Sequence, residues 1–495
     1  MLLGGGGISS RFRRKLLHLV SALMNYLLPG RLVLLAALLW LGSAAAAPRP
    51  NMLIFLADDL GYADVGFNGA KDIQTPNLDR LAAAGARLEQ FYAQPLCSPT
   101  RAALMTGRYP MRYGMQVGVI RPWDQRGLPL TERLLPQALR EAGYTTAIVG
   151  KWHLGNFERA CLPTARGFDH QYGHYCGAID YFTHERDGGF DWHRDDRVCR
   201  DEGYSTHLIA REAQRLLREQ AADKPFFLYV PFNAVHAPHQ VPEKYTVPYA
   251  HLPQPRRAYA GMVAAMDEAI GQILATLDAR GFRTNTLIFF ASDNGGPNPG
   301  RVSHNGPLRA GKGTVYEGGA RVCACAAWPG RIPAGASIPQ PLHMVDWYPT
   351  LLKLAGAPLE PSRRLDGHDL LAVLTRGQSS PHDAILINAA PRGGAIRVGE
   401  WKLVLNGAAG VGDGESPGPA PKKGKRAART RPPPQVELFN LARDVSEKDN
   451  LAAEHPEKVK ELRARYDAFA RQAVAPGNQP KPADYRAPRI WGQPD

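Results

Sequence analysis

Short apolar runs recur along this chain, and each ends in acids, histidine, glycine or proline. "NMLIFLADDLG" (residues 51–61) reads as a buried strand with its loop at the carboxyl end. "YTTAIVGKWH" (144–153), "KPFFLYVPFNAVHAPH" (224–239) and "NTLIFFASDNGG" (285–296) repeat the pattern. Helical periodicity lies between them. "TPNLDRLAAAG" (75–85) has Thr75 as N-cap, Pro76 in the first turn and Gly85 as the stop. "TERLLPQALREAG" (131–143) reads as a helix with an internal proline, and residues 256–281 as a long amphipathic helix. Strands alternating with helices predict an α/β fold: a large, mostly parallel sheet sandwiched by helices. In such sheets ligands bind beyond the carboxyl ends of the strands. Asp58, Asp59, Lys151, His153, His236, Asp293 and Asn294 all fall there.

After about residue 378 the texture changes. Residues 384–407 read as antiparallel strands with turns, and residues 436–472 as a strand and a closing helix. Between them, residues 410–435 are rich in Gly, Pro and basic residues and lack the periodicity needed to pack a core. Lys422, Lys423, Lys425, Arg426, Arg429 and Arg431 stand there against Asp413 and Glu415. A solvated hairpin loop is the plain reading; a loop that grips a polyanion is the alternative. The expected organisation is a leader (1–47), a catalytic domain (48–378) and a smaller C-terminal α+β subdomain (379–495).

The leader changes the picture of where the protein works. Arg11, Arg13, Arg14 and Lys15 precede an apolar run that ends in alanines near Ala47, the pattern of a cleaved export signal. The run is short for a membrane span, and an uncleaved N-terminal anchor is the alternative. The expected location is therefore outside the cytoplasm: periplasmic, secreted or in a lysosome-like compartment. The net charge of +14 falls to about +9 without the five leader cations. A basic exported protein suits acidic partners such as sulfated glycans or anionic surfaces, and nothing here points to nucleic acid. The six cysteines include no C-x-x-C metal pattern. One pair among Cys161, Cys176 and Cys199 could bridge, whereas Cys323 and Cys325 share one face of a strand and read as small core residues.

Adjacent carboxylates after a strand can merely cap a turn. Asp58 and Asp59 gain meaning beside Asp293 and Asn294 at another strand end. Three carboxylates and an amide oxygen make an oxygen-only pocket suited to Ca²⁺ or Mg²⁺ rather than zinc. Without a cation these acids would repel one another. Arg101, Lys151, His153, His236 and Lys312 sit in Gly-, Pro- or Trp-rich loops, and their convergence would create a site for a tetrahedral oxyanion. Cys97 is expected just before a proline-started helix, with its side chain meeting the helix N–H groups. Together these pieces describe transfer of a sulfate or phosphate group.

The stretch "CSPTRAALMTGRYP" resembles the sulfatase signature C-x-P-x-R with its T-G-R tail. "LADDLGYADVGFNG", "GYTTAIVGKWHLG", "VHAPHQVPEKY", "ASDNGG", "GKGTVYEGGARV" and "ELFNLARDVSEKDNL" extend the likeness from Pro50 to about Ala473. Within the family, "YAQPLCSPTR", "ACLPTARGFDHQYG" and "YAGMVAAMDEAIG" look most like the arylsulfatase B (N-acetylgalactosamine-4-sulfatase) group. The resemblance implies an alkaline-phosphatase-like fold and hydrolysis of sulfate monoesters on aryl or glycan substrates, N-acetylgalactosamine 4-sulfate among them. It implies that Cys97 is oxidised to Cα-formylglycine by a formylglycine-generating enzyme that reads the proline and arginine. It further implies one Ca²⁺ held by Asp58, Asp59, Asp293, Asn294 and residue 97, with Arg101 holding that residue. One hydroxyl of the aldehyde hydrate would attack sulfur. His236 would protonate or orient the leaving oxygen, Lys151 and Lys312 would grip the sulfate, and His153 would take the proton from the second hydroxyl. Two other readings stay open at this point. One is a phosphoesterase or phosphonate hydrolase on the same sheet. The other is a catalytically silent binder of sulfated glycans.

Overall fold

The structure, a computed structural model, describes His18 and residues 49–407 and 435–493. The chain divides into Met1–Pro48 and Arg49–Asp495. Of the first unit only His18, in a helix, is described. Apart from His18, the expected leader lies outside the described residues, as does the basic stretch up to residue 434.

Seven consecutive buried residues form β1 (Asn51–Ala57). Their side chains alternate between two cores: Met52, Ile54 and Leu56 enter one, Leu53, Phe55 and Ala57 the other. A strand covered on both faces must be apolar at every position, which is why the run shows no polar alternation. β2 (Ala86–Tyr92), β3 (Thr145–Lys151), β4 (His170–His174), β5 (Phe226–Pro231), β6 (Thr286–Ser292), β7 (Ala324–Ala327) and β8 (Ala336–His343) complete the main framework. In the sheet β6, β1, β5, β3 and β4 lie side by side and parallel. Antiparallel pairs flank them, β7 on β6 and β2 on β7, while β8 runs parallel along β2. The sheet is therefore mixed, with a parallel centre.

Helices cover both faces. Cys97–Thr106, Leu135–Glu141, Trp347–Ala355 and Leu371–Arg376 pack into the first core, and Pro76–Ala83, Ser205–Glu219 and Arg256–Ala279 into the second. Some local expectations need correction. Pro136 does not interrupt a helix; it occupies the second position of Leu135–Glu141, where its missing N–H costs nothing. The Thr75 hydroxyl makes no cap bond; it accepts from Gly66 N (2.7 Å) and donates to Asp79 (3.0 Å). The long helix Arg256–Ala279 is less amphipathic than expected. By length and composition it could cross a membrane, but 67% of its most apolar window is buried and it forms the second core. All six cysteines are free. Cys176 belongs to one core and Cys199 packs against the other, so the sheet keeps them apart; Cys323 and Cys325 do pack together as small core residues.

A second sheet has the order β9 (Ile385–Ala390), β10 (Gly393–Val398), β11 (Trp401–Leu405), β12 (Val436–Asn440), all antiparallel. The helix Pro456–Ala470 closes it through Leu462 and Tyr466. Buried Lys402 on β11 pairs with Glu317 (2.9 Å) and Glu447 (2.8 Å), tying this sheet to the segment beside β7. Two buried histidines make folding sensitive to acid. Burial holds His174 and His343 down to about 3, against an ordinary 6.5. Between those values the unfolded chain takes up protons that the native protein refuses, so stability is lost as pH falls below 6.5. The expected loss is about 2 kcal/mol per histidine near pH ~5. His382 opposes it: burial lowers its pKa, but Asp346 outweighs this and raises it. Urea midpoints between neutral and mildly acidic pH check the net direction; a midpoint that rises on acidification would contradict it.

Candidate active site

Strand register builds the site. Ala57 pairs with Ser292 and Leu56 with Pro231, so three strand ends finish level. The loops beyond are stitched by backbone bonds: Asp293 N to Ala57 O (2.9 Å), Asp58 N to Ala234 O (2.9 Å) and Val235 N to Asp58 O (2.8 Å). Asp58 and Asp59 thus lie beside Asp293 and Asn294 and under His236. β3 adds Lys151 and His153. The helix Cys97–Thr106 adds Cys97 and Arg101, and the loop carrying Lys312 closes over Asp59. Asp59 (φ 62°) and His153 (φ 58°) adopt left-handed backbone, a conformation that costs a non-glycine residue on the order of 1–3 kcal/mol and collects at functional sites.

Cys97 is the first helical residue rather than the one before the helix, because extended Leu96 serves as N-cap. Its buried thiol meets acids: Sγ donates to Asp58 Oδ1 (3.4 Å) and lies 4.0 Å from Asp59 Oδ1. Burial, then the charge of Asp293, push this thiol far up, so it is no thiolate nucleophile. Three cations answer the three acids. Lys151 Nζ donates to Asp58 Oδ2 (2.5 Å), Arg101 to Asp293 Oδ2 through Nε (3.1 Å) and a terminal nitrogen (2.8 Å), and Lys312 Nζ to Asp59 Oδ2 (2.9 Å). Burial alone would raise Asp59, but Lys312, His236 and a bond from Asn294 outweigh it and hold the carboxyl below its usual range. Burial and then Asp58 push Asp293 up to about 6, against Arg101 and Lys151.

The donor atoms fit a hard cation. Ligand atoms of Asp58, Asp59, Cys97 and His236 all lie within 4.8 Å of one another. Asn294 Nδ2 donates to Asp59 Oδ1 (2.8 Å), while its Oδ1 is buried with no protein partner. An orphaned amide oxygen beside close carboxylates is what an oxygen-seeking Ca²⁺ or Mg²⁺ would satisfy. Asp293 stands one step aside: Oδ2 takes Arg101 and Oδ1 accepts from Asp59 N (3.2 Å).

His236 donates from Nδ1 to Ala237 O (2.6 Å), so Nε2 faces Asp59 Oδ2 at 3.6 Å. Burial, then Lys312, bring His236 down to about 4, although Asp59 pulls the other way. Burial, then Lys151 and Arg101, hold His153 far below the ordinary histidine range. Asp58, Asp59, Cys97, Arg101, Lys151, His153, His236, Asp293, Asn294 and Lys312 are thus gathered in one place. Sequence missed the supports. Tyr181 shares its single hydroxyl hydrogen between Asn233 O (2.5 Å) and His236 O (2.8 Å), fixing the His236 loop. Asp180 accepts from Gln240 (2.6 Å), and Tyr259 receives Gly61 N (3.0 Å) and donates to Asp64 (2.9 Å) behind Asp59. A buried aromatic hydroxyl has no periodic signature.

Comparison with known proteins agrees with this geometry. The sulfatase family model matches residues 50–357. The chain is 37% identical to arylsulfatase J of Mus musculus over 488 residues, covering 90% of this chain and 81% of that one. It is 39% identical to N-acetylgalactosamine-6-sulfatase of Canis lupus familiaris over 374 residues, 70% of each chain. Among solved structures, Ps i-CgsB in complex with a neocarrahexaose matches with a TM-score of 0.76 and 31% identity, covering 87% of this chain and 94% of that one. The closer likeness to arylsulfatase B remains a sequence resemblance. Fold, gathered site and relatives lead to one assignment: the chain belongs to the sulfatase family, enzymes that hydrolyse sulfate esters.

Proposed function

We propose that this protein is an exported sulfatase that removes sulfate from glycans, acting through a formylglycine made from Cys97 and one bound Ca²⁺. The observation that carries the reading is a buried Cys97 between Asp58 and Asp59, ringed by Arg101, Lys151 and Lys312. A thiol in that setting is inert, and its conversion by a formylglycine-generating enzyme explains the placement. The modified residue would supply a hydrated aldehyde, nucleophilic through one hydroxyl and able to expel sulfate through the other. Asp58, Asp59, Asn294 and Asp293 would hold the ion, which would supply a fixed positive charge toward sulfate oxygens. Arg101 anchors Asp293 through its Oδ2 and so fixes that acid beside the pocket. Lys151 and Lys312 meet the sulfate oxygens from two sides. His236 presents Nε2; a sulfate anion beside it favours the extra proton that the leaving oxygen needs. His153, kept neutral by burial, is suited to accept a proton. Support for a glycan substrate comes from the relatives named for N-acetylgalactosamine sulfate and solved with a carrageenan-type oligosaccharide. The basic leader and the apolar run after it support export.

Matched aryl sulfate and aryl phosphate esters test the reaction class. Sulfate release is expected to dominate, and sulfated oligosaccharides are expected to be turned over as well. Preferred phosphate release would favour a phosphoesterase on the same sheet. Elemental analysis of purified active protein is expected to find about one calcium per chain, with activity lost on chelation and restored by Ca²⁺. Stoichiometric zinc instead would sink the oxygen-ligand assignment.

A further inference from the structure

We propose that Ser98 and Gly177 are positioning residues that lock His153 as the Nε2–H tautomer, so that Nδ1 is the ring atom left to take a proton. The inference rests on the reading of His153 as the base. Ile120 O lies 3.0 Å from His153 Nε2, and a carbonyl can only accept, so Nε2 carries the hydrogen. Nδ1 is buried with no partner. The residue whose carbonyl fixes the ring is itself held by Ser98 through its N–H. Ser98 Oγ donates to His153 O (2.9 Å) and accepts from Ile120 N (3.0 Å). One buried hydroxyl therefore ties together the backbone of the histidine and the backbone of the residue that orients it. Gly177 walls the other side: a Cβ there would sit 2.4 Å from both Nε2 and Cε1 of the ring. The left-handed backbone of His153 is held at both ends, by His153 N to Tyr175 O (3.0 Å) and by Ser98 Oγ to His153 O.

The arrangement also divides labour. Ala237 O fixes His236 with hydrogen on Nδ1, and Ile120 O fixes His153 with hydrogen on Nε2. The two histidines therefore leave opposite nitrogens bare, Nε2 of His236 and Nδ1 of His153; His153 can take a proton as it stands, whereas His236 must first gain one before it can give it to a leaving oxygen. Ser98 stands next to Cys97, so the segment that carries the reacting residue also sets the tautomer of its base.

The test uses protein labelled with [15N]histidine, with His153 assigned by the signal lost in His153→Gln. The wild type is expected to show His153 protonated on Nε2. Ser98→Ala is expected to give mixed tautomers and to lower kcat roughly tenfold or more, with KM changed less than about twofold, after normalising for converted Cys97 by peptide mass. Ser98→Thr keeps the hydroxyl and is expected to restore both. Gly177→Ala is expected to disturb the same signal from the other side, which keeps the test open if Ser98→Ala folds poorly. A wild-type His153 protonated on Nδ1 would overturn the proposal, as would a loss of kcat in Ser98→Ala with the tautomer unchanged. Full kcat in His153→Gln would defeat the base assignment instead, and the tautomer measurement would still decide the clamp.

Discussion

Cys97→Ala is expected to abolish sulfate ester hydrolysis, lowering kcat/KM on the order of 10⁴-fold or more, while leaving the fold nearly as stable. The reasons lie in what the side chain does and does not hold. Cys97 is buried, yet its partners are the carboxylates of Asp58 and Asp59, which keep Lys151 and Lys312 when the sulfur is gone. Losing one small atom from a polar pocket costs about 1 kcal/mol or less. On the proposed mechanism, losing residue 97 removes the covalent route altogether. Cys97→Ser sharpens the point: a serine hydroxyl can attack sulfur but lacks a second hydroxyl through which to expel it. A Cys97→Ala variant with activity within about tenfold of wild type would mean that the reaction does not pass through residue 97.

Arg101→Met is the counterpart, with a large effect on both folding and turnover. Arg101 and Asp293 are buried, and the guanidinium makes two bonds to a single carboxylate oxygen (2.8 and 3.1 Å). Removing one partner leaves an uncompensated buried charge, a change that typically costs about 3–5 kcal/mol. Arg101 also donates to Lys151 O (3.1 Å), so the loop that carries Lys151 and His153 loosens with it. The loss is largest at alkaline pH and shrinks as pH falls, because without Arg101, which lowers the Asp293 pKa in the wild type, the variant's carboxyl takes a proton at a higher pH than the about 6 of the wild type; urea unfolding across that range checks it. Adding Asp293→Asn should recover part of the stability but none of the activity. A single variant as stable as wild type would mean that Asp293 is already neutral in the native protein.

Much of this was legible in the chain. Strand ends could be read because a strand buried on both faces must be apolar throughout, so the first polar residue marks its exit. That rule pointed to Asp58, Asp59, Lys151, His153, His236, Asp293 and Asn294. Motif likeness did the rest for Cys97, Arg101 and Lys312. What stayed hidden depended on contacts between residues far apart in sequence. Ser98 clamps backbone atoms 22 and 55 residues away, and Tyr181 reaches the His236 loop across more than 50 residues. No local pattern encodes such a bond. The proline of the 131–143 stretch misled for another reason: proline is excluded from a helix interior but welcome in its first turn, so it marked the start of the helix and not a break.

The central claim concerns the chemical state of one residue. Active protein, produced in a host that has the modifying enzyme, should be digested and the mass of the peptide spanning Cys97 determined alongside specific activity. The account predicts an aldehyde at position 97, in a fraction that scales with activity across preparations. Full activity in a preparation whose peptide carries only the unmodified thiol would contradict it.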